Sequence, residues 1–147
     1  MTEIFLNGNT VGASGAMLMA QGLRHNGTLT RLELRDNQVD QYGVVEDDED
    51  SVRFIELLAE CLLTNGTFAY LDLADNTIGD DGAAAVLKMY EDRKEKGLPG
   101  CNVRVDCRMS AENYAAIGKG TKWKDASGGG GGKKGGKKKG GKKKKKK

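Results

Sequence analysis

Leu32-Glu33-Leu34-Arg35-Asp36-Asn37 and Leu71-Asp72-Leu73-Ala74-Asp75-Asn76 share one pattern, apolar-x-apolar-x-x-Asn, and Ile4-Phe5-Leu6-Asn7-Gly8-Asn9 carries it a third time. The blocks begin at residues 4, 32 and 71, so their spacings are 28 and 39 residues, and the longer interval holds an insertion of 11. A second signature runs in the same phase: Asn26-Gly27-Thr28-Leu29 precedes the Leu32 block and Asn65-Gly66-Thr67-Phe68 precedes the Leu71 block at equal offset. Self-similarity at a fixed period of this size marks a stacked repeat architecture.

Within each block, alternation of apolar and other residues predicts a short strand with one face buried. Between blocks the period changes to about 3.6, as Ala16, Met19, Ala20 and Leu23 recur at helical spacing, and Ile55, Leu58, Ala59 and Leu62 do the same. A third helix is expected over about 81–96, with Asp80 or Asp81 near its positive end, Lys94 and Lys96 near its negative end, and Gly97 then Pro99 stopping it. Val103-Arg104-Val105 reads as a fourth strand, but Arg108 stands where the asparagine belongs, so this is a degenerate closing repeat.

From Ile4 to Val105 the blocks resemble the ribonuclease-inhibitor class of leucine-rich repeats, a pattern that also runs through NOD-like receptors, tropomodulin and Ran GTPase-activating proteins. The resemblance implies an α/β solenoid of about three full repeats plus the degenerate one, with parallel strands on a concave face and helices on a convex one. It also implies that Asn9, Asn37 and Asn76 form a structural asparagine ladder where the chain leaves each strand. An amide side chain suits that place because it both donates to and accepts from backbone groups that have lost their ladder partners.

Residues between the buried strand positions point to the concave face: Phe5, Asn7, Glu33, Arg35, Asp72, Ala74 and Arg104. The resemblance implies that this face binds proteins, and its mixed charge favours a polar protein surface over nucleic acid. Neither a nucleophile nor a role for an arginine can be assigned, so an enzyme or GTPase-activating reading ranks behind a non-catalytic scaffold. His25 stands without a serine or cysteine partner at recognisable spacing and reads as a helix-end residue. Gly118-Lys119-Gly120-Thr121 lacks the eight-residue phosphate-loop pattern. The sequons at Asn26 and Asn65 coincide with the repeat, so a repeat role takes precedence over glycosylation.

Gly128 to Lys147 contains only glycine and lysine, which sets the domain at 1–127 and a disordered tail at 128–147. Eleven of the 24 basic residues and none of the 21 acidic ones lie in this tail, which leaves 13 basic residues against 21 acidic ones in the body, a net charge of −8. Lys133, Lys134, Lys137, Lys138, Lys139, Lys142, Lys143, Lys144, Lys145, Lys146 and Lys147 form a polycation suited to polyanions: tubulin tails, nucleic-acid phosphates or an anionic membrane. No lipidation motif and no aromatic residue interleaves them, which weakens membrane anchoring and base stacking.

The insertion, near Val44 to Phe54, carries Glu46-Asp47-Asp48-Glu49-Asp50, expected as a solvated loop that serves either solubility or contact with a basic partner. Its acids lack the spacing of a calcium loop, and neither metal nor cofactor is expected. Cys61, Cys101 and Cys107 have no Cys-x-x-Cys spacing and read as reduced packing thiols. No basic-then-apolar start signals secretion, and no apolar run is long enough for a membrane span.

Terminal solenoid units normally carry a cap. The first strand begins at Ile4 without one, so the amino-terminal side is expected to pack against another chain in a larger complex. Met109, Tyr114, Ile117 and Trp123 are expected to fold over the last strand, although Trp123, between Lys122 and Lys124, fits a partner surface as well. The whole fits a cytoplasmic scaffold subunit, with the cilium or flagellum axoneme as the leading setting and a nuclear or ribosome-associated adaptor as the alternative.

Overall fold

The computed structural model describes residues 1–39 and 49–120, with the side chains of the second helix described from Phe54 onward. Strand and helix alternate four times: β1 (Glu3–Phe5), α1 (Gly12–Leu23), β2 (Arg31–Glu33), α2 (Glu49–Thr64), β3 (Tyr70–Asp72), α3 (Gly79–Glu95), β4 (Asn102–Arg104) and α4 (Ala111–Gly120). The strands form one parallel sheet in the order β1-β2-β3-β4. Ile4 pairs with Leu32, Leu32 with Leu71, and Leu71 with Val103, so equivalent residues of successive units stand side by side.

Burial explains that register. Leu32, Leu34, Leu71, Leu73 and Val103 all face the helices with at most 2% exposure, and a shift of one residue would turn each row to the other face. Against them pack Ala16 and Ala20 of α1, Phe54, Ile55, Leu58 and Leu62 of α2, Ala83, Val86, Met89 and Tyr90 of α3, and Ile117 of α4. The strands are only three residues long, so most of the order comes from this shared core rather than from the ladder itself.

The turn after each strand is also a repeated device. Gly8, Asp36 and Asp75, each one residue before the repeat asparagine, have φ of 68°, 52° and 58°. This left-handed conformation suits Gly and Asp and reverses the chain toward the convex side. Cys107 holds the same place in the closing unit without sharing that conformation.

Helix α3 begins at Gly79, two residues ahead of expectation, and places Asp80 and Asp81 in its first turn; Gly97, at φ 66°, follows its end. The expected loop is shorter than proposed: Glu49 to Phe54 belong to α2, and Phe54 is fully buried. Carboxylates at 49 and 50 fall in the first turn of a helix, where the helix dipole favours negative charge. The remainder of the acidic run, Glu46 to Asp48, lies outside the described residues, as does the whole glycine–lysine tail.

The two ends differ. At the carboxy-terminal side α4 covers α3 and β4, with Ile117 1% exposed and Met109 half-buried; Tyr114, 46% exposed, shares a shallow cavity with Val103 and Val105 at β4, and Trp123 lies outside the described residues. At the amino-terminal side Ile4, Leu6, Val11, Met19 and Leu23 are only half-buried, and Leu18 is 69% exposed.

Candidate protein-binding face

Parallel register lines up the concave side chains in rows across the sheet. Glu3, Arg31, Tyr70 and Asn102 form one row, and Phe5, Glu33, Asp72 and Arg104 the next. Asn7, Arg35 and Ala74 continue the alternation just beyond the strands.

Arg31 organises the centre. Its guanidinium lies 4.4 Å from the centre of the Tyr70 ring and 5.5 Å from that of Phe5, while its Nε donates to Glu33 Oε1 at 2.7 Å and its Nη2 reaches the same oxygen. Glu33 Oε2 accepts from the Asn7 amide, whose Oδ1 in turn accepts the Arg35 N–H at 2.9 Å. The hydrogen bond from Arg31, then that from Asn7, holds the Glu33 carboxyl below its ordinary pKa, and Glu33 correspondingly raises Arg31. On the other flank, Arg104 Nη1 meets Asp72 Oδ2 at 3.1 Å, and the Tyr70 hydroxyl donates to that oxygen at 3.4 Å. The charge of Asp72 is the first cause of the raised Arg104 pKa.

The arginine end of each pair lies in water while the carboxylate is covered, so these pairs add little stability and mainly fix the pattern of the face. Its net charge is close to balanced, with Arg31, Arg35 and Arg104 set against Glu3, Glu33 and Asp72.

Of the seven residues expected here, Phe5, Asn7, Arg35 and Arg104 are exposed, and Phe5 is 57% so. Glu33 is largely covered by Arg31 and Asn7, its side chain being 12% exposed. Asp72 and Ala74 depart from the outward reading: they are 3% and 5% exposed. Asp72 turns its Oδ1 to the Ala74 N–H at 3.0 Å, so it braces the end of β3 rather than meeting solvent. Arg31 and Tyr70 belong to the face and were missed, because the strands were begun at Leu32 and Leu71; extending the alternation one step upstream finds both.

The asparagines behave as the repeat requires. Asn76 Nδ2 donates to the Leu34 carbonyl at 2.7 Å and Asn37 Nδ2 to that of Leu6 at 2.8 Å, each reaching back one repeat, while exposed Asn9 bonds, among the described residues, within its own turn, to Leu6 and Asn7. A second ladder precedes the strands. Asn26 Oδ1 accepts the Thr28 and Leu29 N–H groups, and buried Asn65 accepts the Thr67 N–H while donating to the Leu29 carbonyl at 2.8 Å. Both sequons thus occupy the same turn of successive units, and Asn65 also ties its unit to the one before. Where the closing unit lacks its asparagine, Arg108 bonds Thr77 from an exposed position.

His25 is exposed in the turn after α1, and Gly118 to Gly120 form the last turn of α4, not a loop. Among the described residues no cluster of His, Cys, Asp and Glu is arranged to hold a metal, and no helix is long and apolar enough to cross a membrane.

A family profile described as Leucine Rich repeat matches residues 25–45 and 65–87. Both stretches run from the turn before a strand through the repeat asparagine. The chain carries leucine-rich repeats. With the parallel sheet and its convex helices, this makes the fold a leucine-rich-repeat solenoid, a module whose general role is protein interaction. No curated protein matches the chain.

Proposed function

We propose that this leucine-rich-repeat chain, of the ribonuclease-inhibitor type, is a non-catalytic scaffold subunit that binds a protein through its concave face. The observation that carries this reading is the Phe5–Arg31–Tyr70 ribbon. Aromatic residues and arginine supply most of the energy at protein interfaces, and here they are held in place before any partner arrives, which lowers the ordering cost of binding. The balanced charge around them favours protein over phosphate. A second contact at the half-covered amino-terminal side, around Leu18, would complete the stack with a neighbouring chain.

The setting we propose is a large cytoplasmic assembly, the axoneme of a cilium or flagellum, with Lys133 to Lys147 engaging the glutamate-rich tails of tubulin. Eleven lysines without interleaved apolar residues support contact that is sequence-blind and salt-sensitive. Microtubule co-sedimentation over a salt series tests this: the full chain should pellet at low salt and a chain ending at Ser127 should not. Equal, poor pelleting of both removes tubulin from the proposal. Preference for RNA at matched salt moves the tail to a nucleic-acid role. For the concave face, a cross-linking pull-down should lose its protein partner in Phe5→Ala and Arg31→Ala but retain it in Glu112→Ala, which lies on α4.

A further inference from the structure

The convex side holds a groove of about 550 Å³ between α2 and α3. Leu63 and Met89 line its floor, while Glu56, Glu60, Asp81 and Asp92 bring four carboxylates to it and Lys88 a single ammonium. That ammonium is already committed to Asp92 at 2.9 Å, and Glu60 has a loose, exposed partner in Arg24 at 3.7 Å. Asp92, then Glu91 and Glu95, raise the pKa of Lys88, a mark of how negative the surroundings of this turn are.

The described residues end across α3 from this groove. Gly120, the last residue of α4, lies so close to Tyr90 that a Cβ there would come within 2.3 Å of the ring. Tyr90 directly follows Met89 in α3, so Gly120 and the groove lie on two sides of the same helical turn, separated by one helix diameter of roughly 10–12 Å. Twelve residues, 121 to 132, join Gly120 to the first tail lysine. A Gly-rich stretch of twelve residues reaches on the order of 20 Å, enough to pass around α3, and its length sets an effective concentration of about millimolar for the tail at the groove.

We propose that the lysine tail of this chain, Lys133 to Lys147, docks intramolecularly in the α2–α3 groove. The occupant fits in two respects. Lysine stems lie along an apolar floor while their ammonium groups reach a charged rim, and an excess of carboxylates meets a segment that contains no acid. Docking would screen the tail until a denser polyanion displaces it, which makes the groove a competitor for whatever the tail engages. It does not depend on the identity of that polyanion, so loss of microtubule binding would leave it standing.

Zero-length carbodiimide cross-linking of the full-length protein tests the contact. Chymotryptic cleavage after Trp123 releases the tail as one peptide, and its partners are mapped by mass spectrometry. At low salt it should be joined to peptides carrying Glu56, Glu60, Asp81 or Asp92, with yields unchanged on dilution and abolished by high salt. In the Glu56→Gln/Glu60→Gln double variant, cross-links at the untouched Asp81 and Asp92 should fall roughly threefold to tenfold, the range expected for two exposed ion pairs. Glu56 and Glu60 are exposed, so the fold should not suffer. Cross-links concentrated on Glu46 to Asp50 or spread evenly over all exposed carboxylates would overturn the proposal. So would yields that fall on dilution, or yields at Asp81 and Asp92 that are unmoved in the double variant.

Discussion

The side chain of Asn76 holds the backbone around Asn37: its Oδ1 accepts the N–H groups of Asn37 and Val39, each at 3.1 Å, while its Nδ2 returns a hydrogen bond to Leu34. Both asparagines are fully buried, so no water stands ready to replace these bonds. Asn37 repeats only half of the arrangement, since its Oδ1 is buried without a hydrogen-bond partner among the described residues. The ladder is therefore graded along the solenoid. Asn76→Ala strands two buried donors and should cost about 3 kcal/mol. At roughly 4 °C per kcal/mol in a domain of this size, that lowers Tm by about 10 °C. Asn37→Ala should cost less, and Asn9→Ala, at an exposed turn, under about 1 kcal/mol. Thermal unfolding of the three variants gives the order directly, and equal losses at all three positions would refute the grading.

Arg93 is 0% exposed and joins segments that the repeat pattern alone does not connect. Its guanidinium donates to the carbonyls of Leu62, Asn65 and Phe68 and twice to that of Pro99, tying the end of α2 and the turn before β3 to the segment before β4. A planar fork can serve carbonyls in several directions at once, whereas an ammonium on a flexible stem cannot hold the same set. Arg93→Lys should lose about 2–4 kcal/mol and Arg93→Met more, because each hydrogen bond to a charged group is worth about 1.5–3 kcal/mol and Met satisfies none. Urea unfolding measures both, and a methionine variant as stable as the parent would show that the staple does not stabilise the fold.

Asp80 fastens the closing helix. Its Oδ1 accepts the Ser110 N–H and the Asn113 side-chain N–H, each at 2.8 Å, just where α4 begins. The Ser110 backbone bond, followed by those of Asn113 and the Ser110 side chain, lowers the Asp80 pKa. A lowered pKa means that the folded state favours the carboxylate. This contribution is complete above the ordinary value of about 4 and is lost as pH falls through the lower folded value. Hydrogen exchange should therefore show residues 111–120 losing protection on acidification before β2 and β3 do. Asp80→Asn, with no charge to titrate, should exchange faster in α4 at neutral pH and show less change with acid; parental protection of α4 in that variant would contradict the assignment.

What the sequence made legible is the part set by a single unit repeated. Leu32 and Leu71, and Asn37 and Asn76, could be paired from spacing because each performs the same task one repeat apart, and β2 and β3 pair in that register. Contacts between units were harder to see. Asp72 reads as outward by alternation, yet Tyr70 and Arg104 cover it, and that depends on two neighbouring strands together. Arg93 stands next to Lys94 in the sequence and drew no reading of its own, although Val86, Met89, Tyr90 and Arg93 share a helical face, a periodicity that only makes sense for an arginine once the carbonyls opposite it are known. The insertion misled in a different way. Its acidic composition argued for loop, but carboxylates are also favoured in the first turn of a helix, and Glu49 to Phe54 took that second option.

The three cysteines, alike in the sequence, separate once burial is known. Cys61 is 5% exposed and donates its thiol to the Ala20 carbonyl at 3.2 Å, and burial raises its pKa. Cys101 is 3% exposed, and burial pushes its thiol to about 12, which leaves only on the order of 10⁻⁵ of it ionised at neutral pH. Cys107 is exposed, contrary to a packing role, at the turn after β4. Because the thiolate is the reactive form, a disulfide reagent should meet one fast thiol and two slow ones in the native protein. Cys107→Ser should remove the fast phase and leave the slow ones untouched. The slow phases require the core to open, so the logarithm of their rates should rise in proportion to the stability lost in Asn76→Ala and Arg93→Lys when reclosing outpaces labelling. Three equally fast thiols in the folded protein would place Cys61 and Cys101 outside the core that the stacked strands and helices enclose.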